Sequence, residues 1–189
     1  MEVIKSKEEI LIKKLLIFYS NPDYLNIFSK IVVEGGTMIS LRLLDGFATN
    51  YSKHNRIHIS NIDIHSNYKD QLKGYKKQYF DPFCRRERIF LTSTNCDIRC
   101  PTKDIQLEYN KIKNPELYLC NNTGIVTTVG QLNFFKWCIE KKIIGYIIDN
   151  FSNIEKNMGE MYSSKKEKKV SKKKGDVYKT VMKVTVKFN

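Results

Sequence analysis

Apolar residues in the first third of the chain recur at helical spacing, and each run is bracketed by residues that start or stop a helix. Ile10, Leu11, Leu15, Leu16 and Phe18 follow Ser6 and Glu9, which stand three apart as a capping box, so the pattern predicts a helix over residues 6–20. Asn21-Pro22 stops it and supplies the cap and first position of a second, shorter helix with Tyr24, Leu25, Ile27, Phe28 and Ile31 as its buried positions. After Gly35-Gly36, Thr37 is placed to cap a third helix in which Ile39, Leu43, Leu44, Phe47 and Tyr51 fall at core spacing. The period then shortens to two. RIHISNIDI alternates Ile57 and Ile59 with His58 and Ser60, the pattern of a half-buried strand, and RIFLTS, DIQLEY and LYLC are further short extended segments.

Helical spacing returns in the last third. Thr128 and Gln131 form a second capping box ahead of Leu132, Phe135, Trp137, Cys138 and Ile139, and past Lys141-Lys142 the apolar run resumes through Ile143, Ile144, Tyr146, Ile147 and Ile148. This predicts a long buried helix near 129–150, with Gly145 as a place for a kink or a separation, and a weaker continuation through Phe151, Ile154 and Met158. At the C-terminus Met182, Val184, Val186 and Phe188 alternate with Lys183, Thr185 and Lys187 as an amphipathic strand. The expected architecture is a single α+β domain over residues 1–189, with a helical N-terminal part and a small, mostly antiparallel sheet closed by the C-terminal strand. A flexible lysine-rich loop at 164–176 precedes that strand. No repeat and no Pro/Gly-rich linker divides the chain.

Charge changes the picture more than composition does. Lys and Arg number 33 against 20 Asp and Glu, for a formal net charge of +13, which draws the chain toward a polyanion through a long-range, salt-sensitive field. The excess is concentrated in two places. In YKDQLKGYKKQYFDPFCRRER, residues 68–88, Tyr68, Leu72, Tyr75 and Tyr79 share one helix face while Lys69, Lys73, Lys76 and Lys77 form the neighbouring stripe. Asp81-Pro82 is then expected to break the helix, and Arg85, Arg86 and Arg88 follow as guanidinium forks suited to phosphate, or as ties to Asp81 and Glu87. Tyr79, Phe80 and Phe83 can stack on bases where exposed, although aromatics at this spacing usually belong to a core. The second concentration is Lys165, Lys166, Lys168, Lys169, Lys172, Lys173 and Lys174, against the single Glu167, a segment too charged to pack by itself.

Other chemistry is thinly signalled. The five cysteines Cys84, Cys96, Cys100, Cys120 and Cys138 contain one tight pair and no second knuckle, so no metal site is expected and the thiols are read as reduced. His54, His58 and His65 have nothing in sequence to order them toward a nucleophile, and Asp45, Asp63, Asp81 and Asp104 carry no D-x-D or H-x-E signature. No phosphate loop, dinucleotide fingerprint or nucleophile elbow is present, so no cofactor and no catalytic residue is assigned. TTVGQLNFFKWCIEKKIIGYI has a helix-turn-helix outline, but its second helix carries Ile where base-reading polar residues belong. No run approaches the apolar length of a membrane span, and MEVIKSKEEI is unlike a signal peptide.

LRLLDGFATNYSK, QYFDPFCRRERIF and TTVGQLNFFKW, in this order, resemble a family of uncharacterised proteins of giant, nucleocytoplasmic large DNA viruses. The resemblance spans about residues 30–160 and the closing KVTVKF strand, and departs at Gly46, where a bulky aromatic is expected. It implies a viral protein made in an infected cell, in the cytoplasmic virus factory or the nucleus or carried in the virion, with a role in genome expression or packaging. The residues themselves lead to a non-catalytic protein that binds DNA or RNA through its phosphates. The alternative is an interaction or assembly subunit that binds other viral proteins and whose charge serves solubility; a metal-dependent nucleic-acid enzyme is the third reading.

Overall fold

The computed structural model describes residues 6–34, 38–85, 88–94, 98, 101, 105–114 and 124–160. The expected strand at 117–120, the lysine-rich loop and the closing C-terminal strand lie outside the described residues.

Helix α1 (Lys7–Tyr19) begins where the capping box predicts: the Ser6 hydroxyl accepts from the Glu9 N–H at 3.2 Å and the Glu9 carboxylate accepts from the Ser6 N–H at 3.2 Å. Asn21 caps α2 (Pro22–Ser29), with Pro22 at the first turn where its missing N–H costs nothing, and the helix widens into a π-turn, Lys30–Glu34. The third helix is capped by Ser40, not Thr37, a residue outside the described ones: the Ser40 hydroxyl accepts from the Leu43 N–H at 3.1 Å, opening α3 (Leu41–Gly46). Ile39 before that cap and Leu44 in the following turn are both buried, the placement of a hydrophobic staple, and this favours the later start. A second π-turn, Phe47–Tyr51, carries the chain into α4 (Ser52–Asn55), which ends at Arg56 in a left-handed conformation.

The segment predicted as one strand is a tight hairpin. β1 (His58–Ile59) pairs antiparallel with β2 (Ile62–Asp63) because Ser60 and Asn61 both take positive φ, 50° and 63°, as a two-residue hairpin turn requires. Asp63 then caps α5 (Ile64–Tyr75), its carboxylate accepting from the Ser66 N–H at 2.8 Å. A 3₁₀ turn, Lys77–Tyr79, leads toward the main sheet of β3 (Arg88–Ser93), β4 (Leu107–Lys111) and β5 (Gly124–Thr128), all antiparallel in the order β4-β3-β5. Gly124 faces Phe90 and Leu91 so closely that a Cβ would lie 2.5 Å from the Leu91 carbonyl, so only glycine fits there.

The buried helical stretch expected near 129–150 is present, divided in two. α6 (Val129–Glu140) starts at Thr128, whose hydroxyl accepts from the Gln131 N–H at 3.1 Å; the Gln131 side chain takes the Thr127 hydroxyl at 2.8 Å instead of closing the box. The break falls at Lys142, which adopts φ 55°, and α7 (Ile143–Asp149) follows. Gly145 lies inside α7, and a further helical run covers 151–160 with Ile154 and Met158 buried.

Helix α6 is the centre of the core. Leu132, Phe134, Phe135, Trp137 and Cys138 are buried against Ile12, Leu15 and Tyr19 of α1, Phe28 of α2 and Phe80. Each such large apolar side chain contributes roughly 1.5–3 kcal/mol on burial. The Tyr19 hydroxyl, inside this core, donates to the Leu132 carbonyl at 2.8 Å and ties α1 to α6. Among the described residues no helix is long and apolar enough to cross a membrane.

Candidate nucleic-acid interface

Helix α5 docks by its aromatic side, as the pattern predicts, but it is shorter than the pattern. Tyr68 is buried, with ring centroids of Trp137, Phe80 and Phe134 at 5.7, 5.8 and 6.2 Å. The same burial, followed by the nearby charges of Asp45, Asp81 and Cys138, pushes its phenol well up from the ordinary tyrosine range. The expected face running on to Tyr79 stops one turn early, because Lys76 takes φ 64° and ends the helix ahead of Asp81-Pro82. Tyr75 is half-exposed and stacked on Phe80 at 6.1 Å, while Tyr79 belongs to the 3₁₀ turn. Lys69 and Lys73 are exposed on α5; Lys76 and Lys77 are exposed just beyond it. The Lys73–Asp70 pair, 4.0 Å apart and largely in water, restrains Lys73 little.

The turn that follows is fixed from below. Gly130 at the start of α6 approaches it so closely that a Cβ would stand 2.8 Å from the Asp81 carbonyl and 3.0 Å from that of Gln78. The Asn133 side chain donates to the Tyr79 carbonyl at 2.9 Å, and Phe80 is fully buried. Asp81 accepts from the Phe83 N–H at 2.8 Å and lies 3.5 Å from Lys77, so its carboxylate is occupied by the backbone and a lysine. Among the described residues Asp81 meets no arginine, and Arg86 and Glu87 lie outside them. Arg85 is exposed and Arg88 half-buried at the head of β3, and neither forms an ion pair among the described residues. Arg86 and all seven lysines from Lys165 to Lys174 lie outside the described residues.

Two depressions flank the turn. The smaller, about 280 Å³, is lined by Phe83, Arg85, Arg88, Thr127, Thr128 and Gln131. The larger, about 660 Å³, lies between α4 and α5, with Lys53 and His54 on one wall, His65, Tyr68, Lys69 and Leu72 on the other, and Lys77 and Asp81 at one end. Phe83, half-exposed, is the aromatic of this turn available for stacking, whereas Phe80 is spent in the core.

Sequence reasoning passed over most of the larger cleft. Lys53 entered no basic cluster, and His54 and His65 were without any ordering partner in sequence, yet the α3–π–α4 unit and α5 bring them to one place. His65 is held by its Nδ1, which faces the Ala48 carbonyl at 3.4 Å, whereas His58 is exposed on the hairpin and bonded to the Arg56 carbonyl at 2.8 Å. Asp45 and Asp81 lack a pairing motif but are neighbours in space: burial, then the charge of Asp81, raises the Asp45 carboxyl to about 6. The usable signal was positional, since His65 and Lys69 are one helical turn apart and therefore share a face.

Cys138 is buried, and burial followed by the charge of Asp45 pushes its thiol up, so it behaves as packing. Cys84 is a half-buried free thiol, and Cys96, Cys100 and Cys120 lie outside the described residues. Among the described residues no group of three or more His, Cys, Asp or Glu is arranged to hold a metal.

The three segments that carry the family resemblance thus meet around Asp45, Asp81 and Gly130. A model of a family of unknown function (DUF7197) matches residues 2–111 and 95–183. The chain belongs to that family. The match extends beyond residues 30–160 on both sides. A relative is the uncharacterised protein L507 of Acanthamoeba polyphaga mimivirus, 35% identical over 169 residues, which bears out the expected kinship with giant-virus proteins. The alignment covers 85% of this chain and 57% of L507, so the chain spans little more than half the length of that relative. No solved structure matches the chain.

Proposed function

We propose that this DUF7197 member is a non-catalytic nucleic-acid-binding protein of a large DNA virus, which grips phosphate backbones with low sequence specificity during viral genome expression or packaging. The observation that supports this is the solvent-facing arrangement of Lys69, Lys73, Lys76, Lys77 and Arg85 along α5 and the turn after it, on a base made rigid by buried aromatics. Lysines there act as point charges on phosphates, and Arg85, Arg86 and Arg88 add bidentate contacts. Lys165, Lys166, Lys168, Lys169, Lys172, Lys173 and Lys174 serve in this reading as an electrostatic arm.

The test is fluorescence anisotropy with duplex and single-stranded DNA and RNA across a salt series. Each neutralised duplex phosphate contributes about −0.9 to the slope of log K against log salt, so engagement of the four lysines and three arginines of this segment gives a slope of roughly −6. Undetectable binding at about 50 mM salt removes the proposal. A second reading, an assembly or transcription-accessory subunit, draws on α1, where Ile10 and Ile17 stand seven residues apart and are 45% and 76% exposed. Deleting residues 165–174 and neutralising Arg85, Arg86 and Arg88 separates the two: nucleic-acid retention is lost in the first case and partner capture survives in the second.

A further inference from the structure

The lysine strip explains attraction to a backbone, but it does not explain the 660 Å³ cleft beside it. Backbone binding needs a surface of positive charge, whereas this is a concavity within the size range of small-molecule pockets, roughly 300–1,000 Å³. Its walls repeat one pair of residue types: Lys53 and His54 from α4, Lys69 and His65 from α5. Lys77 is committed to Asp81 at 3.5 Å, but Lys53 and Lys69 meet no carboxylate among the described residues. His65 Nδ1 faces the Ala48 carbonyl at 3.4 Å, which leaves Nε2 as the ring nitrogen free to meet a ligand. Leu72, with the edge of the largely buried Tyr68 beside it, supplies an apolar wall, which a bare inorganic anion has no use for.

We propose that this cleft holds the phosphate of one nucleotide, free or at the 5′ end of a strand, between Lys53–His54 and His65–Lys69, with its sugar and base along Leu72 and Tyr68. This rests on the nucleic-acid reading for the 5′-end form alone, since a free nucleotide satisfies the same groups. Two phosphate charges against two otherwise unneutralised lysines is the matching that favours a terminal phosphate over an internal one, which carries a single charge.

The experiment compares single strands of one sequence, labelled at the 3′ end, that carry either a 5′-phosphate or a 5′-hydroxyl, with a deoxynucleoside 5′-monophosphate and inorganic phosphate as competitors. The phosphorylated strand is expected to bind about tenfold tighter. Replacing Lys53→Gln together with Lys69→Gln erases that ratio, whereas Lys73→Gln with Lys76→Gln weakens both strands and leaves it standing; thermal melts confirm that each variant is folded. Equal binding of the two strands with no competition by the mononucleotide overturns the cleft site and leaves backbone binding intact. If the mononucleotide binds and neither strand does, the cleft is a free-nucleotide site and the nucleic-acid reading falls. Competition by inorganic phosphate equal to that of the mononucleotide overturns recognition of sugar and base.

Discussion

Helices α5 and α6 are both twelve residues long and touch through the Trp137 indole, which donates to Asn67 at 2.8 Å, yet they serve opposite ends. α5 buries Ile64 and Tyr68 and leaves its lysines in water; α6 buries eight residues, among them Gly130, Asn133, Phe134 and Trp137. One helix presents charge, and the other decides where the charge stands. The difference teaches that the candidate interface is held from beneath: the turn bearing Phe80 and Asp81 is clamped by Gly130 and Asn133, so Lys69, Lys76 and Arg85 gain a fixed spacing while Lys77 alone is tied to the turn, through Asp81. Changes on the supporting side should therefore cost stability, and changes on the presenting side should cost binding alone.

The sharpest break is Phe80→Ala. Phe80 lies fully buried among Tyr68, Tyr75, Phe134 and Trp137, and its removal is expected to cost about 3–5 kcal/mol in denaturant unfolding, with loss of polyanion binding as the turn comes free. Gly130→Ala comes next. The added carbon meets backbone at 2.8 Å, so about 1–3 kcal/mol of destabilisation is expected, whereas Gly145→Ala on α7 meets open space and should stabilise by about 0.5–1 kcal/mol. Equal effects at the two glycines would mean that α6 does not clamp the turn.

Asp45 tests the field that burial and then the charge of Asp81 impose on it. Its carboxyl is raised from 3.8 to about 6, so between these values the folded protein keeps a proton that the unfolded chain has released, and stability falls as pH rises through that window. Asp45→Asn should remove this slope and gain on the order of 1 kcal/mol at neutral pH once solvent screening is allowed for. An unchanged difference in melting temperature between pH 4 and pH 7 would refute it. The smallest expected effect on stability is that of Lys69→Gln with Lys73→Gln, within about 0.5 kcal/mol, while the salt slope of duplex binding falls in magnitude by about 2. A stability loss here comparable to that at Phe80 would erase the contrast between the helices.

Much of the fold was legible in residue order because its signals are local. The Ser6–Glu9 box, Asn21-Pro22 and Thr128 act within a single turn, and the structure places helix starts at all three. The stops were harder. Lys76 and Lys142 end helices by adopting positive φ, a conformation that lysine does not advertise as glycine would, and the Ser60-Asn61 hairpin turn hid inside an alternating pattern. Arg85 and the α5 lysines could be found as a charge concentration; the cleft could not, because Lys53 and His54 come from α4, His65 from α5 and Asp81 from the turn beyond it.

The sequence by itself determined the α+β class, the helix starts at Ser6, Asn21 and Thr128, the aromatic side on which α5 docks and the excess of positive charge, since each follows from neighbours a few residues apart. Only the tertiary structure decided that Asp45 and Asp81 share a field, that Gly130 seats the turn, and that two Lys–His pairs face one cavity. Those relations depend on distances between segments far apart along the chain, which burial of the α6 aromatics sets and no local pattern encodes.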